Sequence, residues 1–192
     1  ARRMCPDECG VTRGLDKDAF DKDDTVYIIE RVPGSGEVVG FCRINPTTRP
    51  HMMTEVFPHY CNYDGIPTGP NIHEVSRLGY DYRVLGRDRD AWREVRARIT
   101  TAITFYCLRR RISQVTFCVH DDIYMAIKRD TWGARPLGAP QHDEKLDKIY
   151  QAGISDITPE ALERCRSNLE DPDRPPLDYF GPIETLQLPE AA

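Results

Sequence analysis

The chain has 192 residues, a formal net charge of −5, 40% hydrophobic residues and 30% charged residues. This length suits one domain with a core, and the balance is ordinary for a soluble globular protein. No run of about 18 apolar residues is present to cross a membrane, and an acidic chain is a poor nonspecific ligand for nucleic acid. Because the first ten residues lack the apolar stretch of a secretory signal, we expect a cytoplasmic protein.

The seven cysteines are an odd number without a CxxC pair, which favours reduced thiols over a disulfide framework. The sequence CPDEC could supply two thiolates to zinc, but no second Cys or His pair follows at ligand spacing. The five histidines form no HxxxH or HExxH motif either. We therefore predict no metal site and no permanently bound cofactor.

Two apolar, β-rich segments near the start of the chain, 24–32 and 37–44, flank the turn sequence PGSG. Strands joined by such a turn predict an antiparallel hairpin. The next segment, HMMTEVFPHY, predicts a short helix or turn that closes at Pro58. After a loop, residues 72–80 predict a third strand.

The longest predicted helix runs from Asp88 to about Arg111, with Asp88 or Asp90 as its N-cap. Apolar residues recur there at intervals of about 3.6 positions, as expected for one buried face. Residues 112–120 then predict a fourth strand, and residues 121–130 predict a second helix followed by extended chain.

The last predicted helix begins at Thr158, a good N-cap followed by proline, and continues through Leu169. The order β-β-β-α-β-α-β-α predicts one α/β domain, residues 1–170, with a mixed central sheet flanked by helices. It is also the order of the GNAT acyltransferase architecture, so we expect a GNAT-like fold. Residues 171–192 are rich in proline and acid and predict an extended C-terminal tail.

Positive charge is concentrated in the segment 83–111, which holds nine arginines against three acidic residues. In a chain of net negative charge, this local excess predicts a face for an acidic partner. A solvated helix exterior explains the same composition equally well.

Five charged side chains lie in or next to predicted strands that a central sheet would bury: Asp18, Asp21, Arg43, Glu74 and Arg77. Buried charges need partners, so these residues either pair with one another or with a ligand, or the strands are edges with solvated charges. Glu74 and Arg77 are three positions apart, and strand alternation would place them on opposite faces. A bulge or a strand end between them would change that.

Three ordered motifs make the segment 16–138 similar to the acyl-homoserine-lactone synthases, the LuxI-like autoinducer synthases. DKDAFD, with Asp16, Asp18 and Asp21, resembles the family pattern E-x-D-x-(F/Y)-D. GFCRINPTTRPHMM, followed by Phe57, resembles G-x-x-R-L-x-P-T-T-x-P-x-M-L, and HEVSRL resembles W-E-x-S-R-F. The resemblance therefore covers more than half of the chain.

The resemblance implies an enzyme in which S-adenosylmethionine is a co-substrate. Its amino group attacks an acyl thioester, and the product closes to a lactone and expels methylthioadenosine. Catalytic roles are implied for Glu74, as the base, and Arg77. Binding of S-adenosylmethionine is implied for Asp18, Asp21, Arg43 and Phe57.

An apolar slot for the acyl chain is also implied, with Phe41, Met52, Met53, Phe105 and Thr116 as candidates. Thr116 resembles a family position near the acyl β-carbon, where its hydroxyl would favour an oxidised carbon. The donor would be a thioester of acyl-carrier protein or of CoA. The arginine-rich face 83–111 is a natural place for an acidic carrier protein to dock.

The sequence departs from the family pattern in two places. His73 stands where the family has Trp, and Cys5 and Val11 stand where the family has aromatic residues that cover the cofactor. Two alternatives therefore stay open. One is a GNAT-type N-acetyltransferase using acetyl-CoA, although RVLGRD has Asp88 where its phosphate loop needs a small residue. The other is a non-catalytic relative that binds a small ligand.

Overall fold

The computed structural model describes residues 11–12, 15–32, 34–171 and 179–180. The strands are β1 (Val11–Thr12), β2 (Leu15–Asp16), β3 (Val26–Arg31), β4 (Val38–Pro46), β5 (Ile72–Tyr80), β6 (Gln114–His120), β7 (Arg135–Pro136), β8 (Gln141–Asp143), β9 (Lys148–Asp156) and β10 (Tyr179–Phe180). The helices are α1 (Met52–Glu55), α2 (Tyr82–Leu85), α3 (Arg89–Arg109), α4 (Asp121–Asp130) and α5 (Pro159–Arg166), with a turn of 3-10 helix at Pro58–Tyr60.

Most of the strands form one mixed sheet in the order β10-β3-β4-β5-β6-β9-β7, with β8 also paired to β9. Neighbouring strands in it are antiparallel except β5 and β6, which are parallel. The register of the parallel pair stops at Glu74 and Thr116, although both strands continue beyond these residues. The two strands are therefore unpaired beyond Glu74, and we call the gap between their unpaired parts the cleft.

The hairpin at the start of the sheet is confirmed, with β3 and β4 antiparallel around a turn in which Gly34 and Gly36 have φ of 88° and 72°. The third strand has the predicted bounds. The second strand continues two residues beyond its predicted end at Ile44, because Asn45 and Pro46 still pair with β5.

The capping residues of two helices are also as predicted. The Asp88 carboxylate accepts hydrogen bonds from the backbone N–H groups of Asp90 and Ala91 at the start of α3. The Thr158 hydroxyl accepts from the backbone N–H group of Ala161 at the start of α5. That helix ends at Arg166, three residues before the predicted end. The strands β7 and β9 lie in the chain predicted to be extended after the second helix, whereas α2 and β8 had no pattern long enough to predict them.

The long helix α3 packs against one face of the sheet. A Cβ atom built on Gly40 would lie 2.7 Å from Cδ1 of Ile99 and 2.8 Å from Cγ1 of Val95, so only glycine allows this close approach. Because strand side chains alternate, the neighbouring residues Phe41 and Arg43 point away from α3. We call the surface that they share the Arg43 face of the sheet.

A second, smaller apolar cluster lies apart from the main core that α3 covers. Its buried members are Met53, Tyr60, Cys61, Leu137, Ala152 and Ile154, and Phe57, Ile66, Cys118 and Tyr150 pack against it. The main core instead contains Ile28, Cys42, Ile44 and Ile99. The sheet thus has a helix-covered face and a face that combines charged and apolar residues.

The two ends of the chain are only partly described. In the predicted tail, Tyr179 and Phe180 pair with β3, while residues 172–178 and 181–192 lie outside the described residues, as does the N-terminal segment 1–10 with Cys5. No helix in the described part of the chain is both long enough and apolar enough to cross a membrane.

Candidate functional site

A bulge in β5 places Arg77 on the Arg43 face. Phe41 pairs with Gly79 and Arg43 pairs with Ser76, so two steps along β4 correspond to three steps along β5. Arg77 is in this bulge and has a φ of 53°, in the left-handed region that few residues other than glycine adopt. The extra residue shifts the strand alternation by one position.

The charged residues that the sequence singled out converge around the fully buried Arg43. Its Nη1 atom donates to Oδ1 of Asp18 at 2.7 Å and to Oδ1 of Asp21 at 2.9 Å. Its Nε atom donates to the Ser76 hydroxyl at 3.1 Å. Arg77 donates to Oδ2 of Asp18 from Nε at 3.1 Å and from Nη2 at 3.0 Å. Asp18 therefore bridges two guanidinium groups.

The two aspartates use all four of their carboxylate oxygens within the protein. Asp18 Oδ1 also accepts from the backbone N–H group of Phe20, and Asp21 Oδ2 accepts from that of Asp18, each at 2.8 Å. Asp21 Oδ1 accepts from the Tyr27 hydroxyl as well. Burial tends to raise the pKa of Asp21, but the hydrogen bonds from Tyr27, Asp18 and Arg43 outweigh it and lower that pKa. These acids hold the arginines in place.

Glu74 differs from the aspartates because one of its two carboxylate oxygens has no hydrogen-bond partner among the described residues. The side chain is 2% exposed, and its Oε2 atom accepts from the backbone N–H group of Met53 at 2.6 Å. Its Oε1 atom is buried and has no hydrogen-bond partner among the described residues. Burial raises the pKa of Glu74, and the Met53 N–H group, His51, Arg43 and the Met52 N–H group oppose that rise. This is the environment of a carboxylate suited to take up a proton.

The short helix α1 connects the ion-pair network to the second apolar cluster. Arg43 Nη2 donates to the sulfur of Met52 at 2.9 Å, and the next residue, Met53, holds Glu74 and belongs to that cluster. His51 precedes them and is completely buried. Sequence reasoning missed His51, although its place inside the quoted PTTRPHMM motif was a usable indication.

The predicted acyl-chain residues are divided between two places. Phe41 lies on the Arg43 face, where its ring would be 2.8 Å from a Cβ atom on Gly79. Thr116 is fully buried beside Glu74, and its hydroxyl has no partner in the described part of the chain. Phe57, predicted to bind S-adenosylmethionine, packs against the second apolar cluster rather than against the arginines.

Phe105 lies elsewhere. It is on α3, which covers the opposite face of the sheet, and the Arg109 guanidinium is 5.7 Å from the centre of its ring. Its position gives no support to a role in the acyl slot. The second apolar cluster supplies candidates that the sequence did not indicate, among them Tyr60, Leu137 and Ile154.

The arginine-rich segment is less basic at its surface than its composition suggests. Arg98 is 6% exposed and pairs with the buried Glu30 at 2.7 Å, so it is part of the interior. Arg83 is exposed but pairs with Asp81 at 2.6 Å. Among the described residues, no three His, Cys, Asp or Glu side chains converge as metal ligands would.

Comparison with known proteins assigns the family. A model of the autoinducer synthase family matches residues 8–163. The chain belongs to this family. The isovaleryl-homoserine lactone synthase of Bradyrhizobium diazoefficiens is 35% identical over 127 residues, which are 66% of this chain and 54% of that protein. An acyl-homoserine-lactone synthase of Acinetobacter nosocomialis is 40% identical over 61 residues, 32% of this chain and 33% of that protein. The chain thus spans about half the length of the first autoinducer synthase relative.

Solved structures agree with this assignment. A CoA-dependent acyl-homoserine lactone synthase, BjaI, with SAM and isopentyl-CoA has a TM-score of 0.69 and 30% identity, covering 82% of this chain and 71% of BjaI. TofI, in a ternary complex with an inhibitor and MTA, has a TM-score of 0.67 and 26% identity, covering 88% of this chain and 81% of TofI. The predicted α/β fold and the predicted autoinducer synthase family are both confirmed.

Proposed function

We propose that this protein makes an N-acyl-L-homoserine lactone from S-adenosylmethionine and an acyl thioester, releasing methylthioadenosine. The observation that carries the proposal is the contrast between the carboxylates of one site. Asp18 and Asp21 are saturated by arginines and backbone groups, whereas the buried Glu74 keeps one oxygen without a partner among the described residues. Glu74 is therefore the available base.

The charge of the site matches that of S-adenosylmethionine. Among the described residues, two aspartates balance Arg43 and Arg77, and the Glu74 carboxylate is the charge that remains. S-adenosylmethionine carries a sulfonium, an ammonium and a carboxylate, for a net charge of plus one. A buried site with one uncompensated negative charge favours such a ligand, because the attraction is strong where water is excluded.

Acyl transfer requires a neutral amine. The α-ammonium of S-adenosylmethionine gives a proton to Glu74, directly or through one water, and the amine then attacks the thioester carbonyl. The tetrahedral intermediate collapses to an amide and expels the thiolate. Arg43 and Arg77 keep the charged side chains of the site in fixed positions during these steps, since Asp18 fixes their guanidinium planes.

Lactone closure then depends on positioning. The substrate carboxylate attacks its own γ-carbon, and the sulfonium leaves as neutral methylthioadenosine. No proton is transferred in this step, so the protein needs only to hold the carboxylate near the carbon that bears the sulfonium.

For the acyl donor we propose a CoA thioester, with acyl-carrier protein as the alternative. BjaI is described as CoA-dependent. The burial of Arg98 and the pairing of Arg83 reduce the charge that the face 83–111 offers to an acidic carrier protein. We place the acyl chain in the cleft between β5 and β6, over Thr116 and the second apolar cluster.

The substrates are cytoplasmic metabolites, and we propose that the protein acts in the cytoplasm.

The test is to incubate the protein with S-adenosylmethionine and matched acyl-CoA and acyl-carrier-protein thioesters, and to measure methylthioadenosine and lactone together. We expect stoichiometric release of both, with CoA thioesters the better donors. If methylthioadenosine and lactone form only with carrier-protein thioesters, the proposed activity stands and the donor is acyl-carrier protein instead of CoA. No release with any donor would favour the ligand-binding alternative.

The acetyltransferase alternative has less support. A GNAT-type enzyme binds pyrophosphate at the loop before its long helix, but here the Asp88 carboxylate already accepts from the N–H groups of Asp90 and Ala91. A phosphate at this position would meet a like charge. Acetyl transfer from acetyl-CoA to an amine other than S-adenosylmethionine would support the acetyltransferase alternative.

A further inference from the structure

We propose that His51 is a second proton acceptor in this reaction and works together with Glu74 on the amino group of S-adenosylmethionine. The inference rests on the proposed function. It adds a catalytic residue to the same site, one that the three quoted family motifs did not single out.

Amide formation from an ammonium group releases two protons. The α-ammonium carries three hydrogens on nitrogen and the product amide carries one, so two protons leave the nitrogen. Glu74 takes up one of them and is then neutral. The second proton leaves after the attack, when the nitrogen of the tetrahedral intermediate is positively charged and acidic. A second basic group near Glu74 would receive it directly, whereas Glu74 alone would first have to release the proton that it already holds.

The hydrogen bonds of His51 leave its Nε2 atom available as a proton acceptor. Its Nδ1 atom is 2.9 Å from the carbonyl oxygen of Arg49, which only accepts, and 3.5 Å from the Thr54 hydroxyl, which can also accept, so Nδ1 carries the ring hydrogen. In the neutral imidazole, Nε2 then has a free lone pair. Nε2 is buried and has no hydrogen-bond partner among the described residues. A buried acceptor without a partner is unfavourable to folding, which makes this nitrogen a candidate for a functional role.

The position of His51 relative to Glu74 is fixed by α1. Met53, two residues after His51, holds Glu74 Oε2 through its backbone N–H group at 2.6 Å. His51 is the N-cap residue of α1 and Met53 lies in its first turn, so both residues belong to the same short element beside Glu74. Thus two buried acceptor atoms without partners in the described structure, Glu74 Oε1 and His51 Nε2, belong to the same small region.

The proton transfers balance over one turnover. Glu74 takes a proton from the ammonium, and the amine attacks the thioester to give an intermediate with a positive nitrogen and a negative oxygen. His51 Nε2 takes the second proton and becomes an imidazolium. The intermediate collapses, the carbon–sulfur bond breaks, and the thiolate receives the proton of His51. Glu74 then loses its proton to solvent.

The test uses two substitutions of His51. Asn keeps an amide N–H near the Nδ1 position, so His51→Asn retains the donor to the Arg49 carbonyl and removes Nε2. Gln places an amide near the Nε2 position that forms hydrogen bonds but does not take up a proton. For both variants we expect kcat to fall by about 10² or more. The KM and Kd for S-adenosylmethionine and the melting temperature should stay close to those of the unaltered protein.

His73→Asn is the matched control, because His73 Nδ1 is also buried without a partner among the described residues, but His73 precedes Glu74 in the strand and is on the other face of the sheet. We expect this variant to keep kcat. A normal kcat in His51→Gln would overturn the proposal, as would a loss of kcat accompanied by lost S-adenosylmethionine binding or a lower melting temperature in both His51 variants. If the unaltered protein forms no lactone, the proposed function itself fails.

Discussion

Arg77 reaches Asp18 across 59 positions of sequence and places Nε and Nη2 at 3.1 and 3.0 Å from the same carboxylate oxygen. The backbone of Arg77 adopts a φ of 53°, which is unfavourable for a residue with a side chain. The contact and the strained conformation occur together because the bulge in β5 is what directs Arg77 to the Arg43 face.

Arg77→Gly should separate the function of this residue from its contribution to stability. Glycine relieves the backbone strain, which partly offsets the lost ion pair, so we expect the free energy of unfolding to change by less than about 2 kcal/mol. Lactone formation should fall by at least about tenfold, since Asp18 loses one of its two guanidinium partners. Urea unfolding and steady-state kinetics measure the two quantities. Full activity in this variant would remove Arg77 from the site.

Asp18→Asn should be severely destabilising. Asp18 bridges two buried arginines, and removing its charge leaves both guanidinium groups incompletely compensated in the interior. We expect a loss of about 3 to 5 kcal/mol in the free energy of unfolding. Asp24→Asn is the control, because Asp24 also pairs with an arginine but has a 57% exposed side chain. Its loss should stay below about 1 kcal/mol.

Glu74→Gln should abolish lactone formation and change how stability depends on pH. Burial raises the pKa of Glu74 in the folded protein above the ordinary value of 4.5. The folded state therefore binds this proton more tightly than the unfolded chain, and the associated stability is present below pH 4.5 and lost as the pH rises through the folded-state pKa. Glutamine does not titrate. The variant should gain stability relative to the unaltered protein as the pH rises from 4 toward 8, as measured by thermal unfolding at several pH values. A constant difference would contradict the raised pKa.

Thr116→Val tests the hydroxyl in the cleft. The Thr116 hydroxyl is buried without a partner in the described structure, so its removal should leave stability unchanged or slightly increased. We expect the products to shift away from acyl groups with an oxidised β-carbon, which mass spectrometry of the lactones would detect. An unaltered product profile would exclude this role for Thr116.

Thr104→Val is the comparison for that variant, because Thr104 is equally buried but uses its hydroxyl fully. It donates to the carbonyl oxygen of Thr100 at 2.6 Å and accepts from the Trp132 indole N–H group at 2.8 Å. Its loss should cost about 1 to 3 kcal/mol without changing the products.

The sequence by itself determined the elements whose signals are local. The turn glycines fixed the hairpin, the Asp88 and Thr158 caps fixed two helix starts, and the spacing within the motifs identified Asp18, Arg43 and Glu74 together with the family. Each of these depends on a few neighbouring residues, for which steric and hydrogen-bonding preferences are strong.

Only the tertiary structure decided which of the identified residues contact one another. It also decided which of their polar atoms have no hydrogen-bond partner among the described residues. The bulge at Arg77, the burial of Arg98 against Glu30 and the separation of Phe105 from the Arg43 face all depend on strand register and helix packing. Register depends on contacts between residues far apart in sequence, and a shift of one residue exchanges the two faces of a strand. For the same reason, His51 is a candidate only through the tertiary structure, which buries its Nε2 atom without a partner among the described residues.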